Sequence, residues 1–85
     1  DYKAAIIALN NSLDDFPETK YREEIMFMIL KAKFLLAENS IAVKRIERYQ
    51  STVDEYYSFM GEFPESEFLK EATEIYDDSQ SKLSN

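Results

Sequence analysis

The chain writes nearly the same helix-ending phrase twice: LDDFPETKY at Leu13–Tyr21 and MGEFPESEF at Met60–Phe68. A shift of 47 residues aligns Tyr2 with Tyr49, Ile6 with Val53, Leu13 with Met60, and Phe16-Pro17-Glu18 with Phe63-Pro64-Glu65. Thr19 then meets Ser66, Tyr21 meets Phe68 and Glu24 meets Glu71. A proline pushes the residue before it out of the helical region, so the chain must break at Phe16 and again at Phe63. Between the breaks the apolar residues keep helical spacing. A pattern recurring at this length marks stacked helical hairpins, each too small to bury its own apolar face without the next.

Tyr2, Ala5, Ile6, Leu9, Leu13 and Phe16 share one stripe and predict a first helix over about 2–15. A second helix is expected to follow a Thr19 cap and run to about Glu38, with Glu23 and Glu24 near its positive end. Its run IMFMIL (Ile25–Leu30) covers every side of a helix, which calls for neighbours on several sides. Asn39 or Ser40 is expected to cap a third helix over about 41–61, with a core stripe of Ile46, Tyr49, Val53, Tyr56 and Met60. Gly61 is expected to end it in a left-handed conformation. Ser66 then caps a fourth helix reaching about Lys82. Phe16 and Phe63 read as buried plugs at equivalent corners.

The expected fold is all-α: one domain over 1–85, with four antiparallel helices forming two hairpins of an α-solenoid, repeated over 2–38 and 49–83. One Gly and two Pro leave few turns, which fits long helices. In the fourth helix Asp77 and Asp78 replace Leu30 and Lys31 of the second, the polar outer face that a last repeat needs. The first helix is the opposite case: Ala4, Ile7 and Ala8 lie beyond its stripe and are expected to face an upstream repeat. Asp1 reads as a cut rather than a native start.

Charge and composition narrow the function. A net charge of −7 argues against non-specific nucleic-acid or anionic-membrane binding. No apolar run is long enough to span a membrane. The chain has no His and no Cys, so the common proton shuttles, nucleophiles and disulfides are missing. The acidic doublets Asp14–Asp15, Glu23–Glu24 and Asp77–Asp78 are neighbours along helices and point different ways. The expectation is therefore no enzyme, no cofactor and no metal site. KRIER, with Lys44, Arg45 and Arg48 around Glu47, is the one basic cluster. Two readings stand for it: a solvated face laced with Glu pairs, and a docking patch for an acidic partner surface. Tyr57 and Phe59 lie off the expected stripe and either cover a neighbouring helix or anchor a partner. Arg22 reads as a salt-bridge partner.

YKAAIIALNNSLDDFP resembles the second helix of a tetratricopeptide repeat, with Ala5, Leu9, Ser12 and Pro17 at its characteristic positions. ALNNSLDDFPETKYREEIMFMILKAKFLLAENS followed by ERYQSTVDEYYSFMGEFPESEFLKEATEIYDDSQ resembles the carboxyl-terminal repeats of the BamD-type lipoproteins of outer-membrane β-barrel assembly. The resemblance covers essentially the whole chain. It implies a non-catalytic scaffold at the periplasmic face of the outer membrane, held there by a lipidated amino-terminal Cys that is not in this sequence. It also implies a partner, the periplasmic domains of the barrel-forming subunit. The alternatives are another tetratricopeptide adaptor of the cell envelope, a peptide-binding co-chaperone module, or a helical regulatory subunit of an enzyme.

Overall fold

Both Phe-Pro phrases break the chain in the same way, down to individual hydrogen bonds. In the computed structural model, which describes residues 1–84, the backbone angles are φ −133°, ψ 69° at Phe16 and φ −129°, ψ 65° at Phe63. Phe16 N–H donates to Ser12 O at 2.9 Å and Phe63 N–H to Phe59 O at 2.8 Å. Thr19 N–H bonds Phe16 O and Ser66 N–H bonds Phe63 O, both at 3.1 Å. Arg22 and Leu69 close the next turns onto Thr19 O and Ser66 O. The hydroxyls repeat too: Thr19 Oγ1 accepts from Tyr21 N–H at 3.2 Å and Ser66 Oγ from Phe68 N–H at 3.0 Å. Every pair is related by the same 47-residue shift. These hydroxyls brace the turn two residues onward rather than capping the helix itself, which corrects the role expected of Thr19 and Ser66.

Four helices result: α1 (Tyr2–Asp15), α2 (Arg22–Glu38), α3 (Ala42–Glu62) and α4 (Leu69–Ser84). No described residue is in a strand. Gly61 lies inside α3 with a negative φ, and Phe63 ends the helix, because the proline already forces the stop. Asn39 and Ser40 do not cap α3. Asn39 Nδ2 donates to Leu35 O at 2.8 Å and Ser40 Oγ donates to Leu36 O, so both close the end of α2.

α2 packs against all three other helices, and α3 also packs on α4. Partners descend along α3 as they ascend along α2: Arg22 meets Glu62, Phe27 meets Phe59, Lys33 meets Glu55 and Phe34 meets Tyr49. Along α4 they ascend together: Phe27 meets Phe68 just before α4, Lys31 meets Glu71, and Glu38 meets Lys82. The Cα trace is 14 Å thick at its thinnest. That is the depth of two helix layers about 8–10 Å apart.

The core is Met26, Phe27, Leu30, Tyr56, Phe59, Ala72 and Ile75, with Phe63, Phe68 and Met60 packed on it. On α3 the buried set is Tyr49, Thr52, Val53, Tyr56 and Phe59. It is wider than the expected stripe because α3 faces two helices at once. Phe59 is therefore fully buried, with 0% exposure, and is core rather than a partner anchor. Ile46, expected in the stripe, is 70% exposed. The end of α2 at Glu38 is already level with Tyr49, so the first turns of α3 have nothing opposite them.

α1 packs on α2 alone and has no buried residue. Phe16 consequently stands 68% exposed and is not a buried plug, although its backbone matches that of half-buried Phe63. Side-chain truncation separates the two kinds of phenylalanine. By equilibrium urea denaturation, Phe59→Ala is expected to cost about 3–5 kcal/mol. Phe16→Ala is expected to leave the midpoint almost unchanged, within about 0.5 kcal/mol.

Candidate docking surface

The basic cluster sits where α3 begins. Residues 41–47 are all exposed, and Ile41, Val43 and Ile46 add apolar surface between the cations. Lys44 is exposed and makes no ion pair among the described residues. Arg45 Nε donates to Ser40 O at 2.9 Å, and Arg48 Nη1 donates to Ser40 Oγ at 2.6 Å. The two arginines thus tie the α2–α3 corner with neutral acceptors. None of the three cations pairs with Glu47 or another carboxylate among the described residues. The face is solvated as the first reading has it, but its Glu pairs do not form among the described residues, and both arginines bond Ser40 instead.

One layer inward, Glu38, Tyr49 and Lys82 join the ends of α2, α3 and α4. Tyr49 donates to the Glu38 carboxylate, and Lys82 Nζ donates to the same oxygen at 3.0 Å and to the Tyr49 hydroxyl at 3.4 Å. The Lys82 ammonium also lies 5.3 Å from the Tyr49 ring centre. The bond from Tyr49, then that from Lys82, holds the Glu38 carboxyl below its usual range; Arg45 adds a through-space contribution. Burial, reinforced by the bond to Glu38, raises the Tyr49 phenol. Bonding to Glu38 and then to Tyr49 raises the Lys82 ammonium.

Tyr57, half-exposed, does not stand free: its hydroxyl lies 3.0 Å from that of Tyr76. The Tyr76 ring stacks on Tyr56 at 4.5 Å between centroids, and Gln80 donates to its oxygen. Tyr57 therefore covers α4 while keeping an outward edge. Arg22 forks onto Glu62 at 2.7 and 3.2 Å and donates to Pro17 O at 2.9 Å. It is a bridge between α2 and the end of α3, and Glu62 raises its pKa.

On α1, Ala4 and Ala8 are exposed and Ile7 is 60% exposed. Ile7 lines a cavity of about 230 Å³ between α1, α2 and α3. Among the described residues no three carboxylates gather as a metal site, and no helix is long and apolar enough to cross a membrane. The cavity between α1 and α3 was not singled out by sequence reasoning, whereas Thr52 and Phe59 stand out in the sequence as replacements of small residues that call for different packing. The internal shift carried that signal, since Thr52 aligns with Ala5 and Phe59 with Ser12, the small residues of the first copy. The chain matches no family model, and no curated protein is significantly similar to it.

The Glu38 cluster makes stability pH-dependent at both ends. A lowered carboxyl means the unfolded chain takes up the proton first, so stability is lost as pH falls below about 4.3. Raised phenol and ammonium groups mean the unfolded chain releases its protons first, so stability is lost as pH rises above about 10. In Tm measured against pH, Glu38→Gln is expected to make both limbs shallower. The change is modest because Glu38 and Lys82 are partly open to solvent.

Proposed function

We propose that this chain is a non-catalytic protein–protein scaffold whose helices form two antiparallel tetratricopeptide-like hairpins of an α-solenoid. The recurrence of the whole corner hydrogen-bond set after 47 residues carries this reading. Repeated hairpins stack into extended surfaces and function by holding partners along them. The pairing order supports the antiparallel hairpin, since contacts between α2 and α3 run in opposite residue directions.

The resemblance to the carboxyl-terminal repeats of BamD-type lipoproteins points to outer-membrane β-barrel assembly at the periplasmic face of the outer membrane. The partner there is the set of periplasmic domains of the barrel-forming subunit. Lys44, Arg45 and Arg48 supply the docking charge and Tyr57 an aromatic edge, while Ala4 and Ala8 receive an upstream repeat and Ile7 turns to the cavity between α1 and α3. Lys44 and Arg45 lie in the first turn of α3, which has no acidic residue to offset the positive helix end. Such a site favours acidic groups on the partner and speeds encounter more than it strengthens the final complex.

The test is titration calorimetry against the periplasmic domains of a barrel-forming subunit. Lys44→Glu and Arg45→Glu are each expected to weaken binding by about tenfold, with the loss growing at low salt. The Lys44 side chain makes no hydrogen bond or ion pair among the described residues, so its substitution separates lost docking from a loosened corner. Unchanged affinity in Lys44→Glu and Arg45→Glu together would retire the patch.

A further inference from the structure

α1 and α3 do not touch, and between them, over the last turns of α2, the surface opens into the cavity of about 230 Å³. Ile6, Ile7 and Leu36 form its apolar walls. Cavities for drug-sized ligands measure roughly 300–1,000 Å³, so this one suits a single large side chain rather than a whole small molecule. Its rim is cationic: Lys3 from α1, Lys33 from α2 and Arg48 from α3. Lys33 is neutralised by Glu55 at 3.0 Å. Among the described residues Lys3 has no carboxylate partner, and the Arg48 guanidinium bonds only Ser40 Oγ. An apolar hole flanked by two cations without counter-ions stands out on a chain of net charge −7.

We propose that this groove binds an acidic peptide segment of a partner protein through one buried apolar anchor, with carboxylates on either side meeting Lys3 and Arg48. The proposal rests on the scaffold reading and extends the contact from the start of α3 across the groove to α1, with Arg48 shared between the two. The anchor fills the space between Ile6, Ile7 and Leu36 and removes their exposed apolar surface from water. The flanking charges set the register of the segment. A neutral or basic segment gains the anchor but leaves the cations unmatched or repelled. The match of charge and size thus selects for an acidic partner with an isolated Phe, Leu or Ile.

The probe is a fluorescein-labelled peptide with one central phenylalanine between glutamates, followed by anisotropy against the 85-residue chain. Saturable binding is expected. Replacing the peptide's phenylalanine by alanine, or Ile7→Glu in the chain, is expected to weaken it by about tenfold or more. Lys3→Glu is expected to weaken it severalfold and to reduce its salt dependence. Ile7 is mostly exposed, so an unchanged thermal melt of Ile7→Glu confirms that only the groove was altered; Lys3→Glu decides the matter if that melt moves. No saturable binding, or binding indifferent to both substitutions, overturns the proposal. So does capture of phosphatidylserine vesicles, abolished by Ile7→Glu, in place of the peptide. If the periplasmic domains still bind while the peptide does not, the groove falls and the scaffold reading stands.

Discussion

The architecture depends on what surrounds Phe27. Its ring stacks almost parallel on Phe68, 4.7 Å between centroids and 6° apart, and tilts against Phe59 at 5.9 Å. One side chain of α2 therefore joins the end of α3 to the turn that starts α4. Leu30, one turn further, is completely buried in the same cluster. Aromatic pairs of this geometry contribute about 0.5–1.5 kcal/mol beyond their buried area. Their larger effect here is geometric, because they hold the end of α3 and the start of α4 against the same side chain of α2. Polar groups close over the stack from outside: Arg22 grips Glu62, and Ser66 donates to the Glu23 carboxylate. The carboxylate in the first turn of α2 thus serves the positive helix end and holds the following corner.

Helix number and breaks were legible because each rests on a local rule. Proline fixes where α1 and α3 stop, and the apolar periodicity fixes that the segments between are helical. What escaped were properties set by neighbours. The expected stripe of α3 followed its large residues along one seam, Ile46 to Met60. The helix is clasped by both α2 and α4, so Thr52 and Phe59 lie inside and Ile46, beyond the reach of either, lies outside. Phe16 shows the same limit from the other side. Its backbone repeats that of Phe63, yet burial of its ring requires a helix that would stand to α1 as α2 stands to α3, and no described residue provides one.

Polar residues in the core obey an equally local logic that composition conceals. Thr52 Oγ1 donates to Arg48 O at 3.0 Å, and Ser79 Oγ donates to Ile75 O at 2.8 Å. Both hydroxyls satisfy themselves on the carbonyl one turn back and need no partner from another helix. Small hydroxyl residues thereby let helices approach closely without stranding a polar atom, and no buried side-chain nitrogen or oxygen among the described residues lacks a partner. Thr52 fills on α3 the place that Ala5 holds on α1 after the 47-residue shift. The outward surface of Ala5 is thus the kind that another helix can approach.

Charge is arranged along the long direction of the helices, and that arrangement carries the functional argument. The turns between helices bear Glu18, Glu65 and Glu67, with Glu23, Glu24 and Glu62 beside them. The carboxylates in the first turns of α2 and α4 are where folding alone would put them. The start of α3 is different. Lys44 and Arg45 lie against a positive helix end that has no acidic residue and no side-chain cap. Placing cations there opposes folding by about 0.3–1 kcal/mol apiece. Arg45 recovers part of this through Ser40 O, but Lys44 recovers nothing inside the chain. Lys3, across the cavity from Arg48, also lacks a counter-charge among the described residues. A folding requirement does not explain unpaired cations at one end of an otherwise acidic molecule. The acidic partner surface proposed above would, because its carboxylates supply the counter-charges that these cations lack among the described residues.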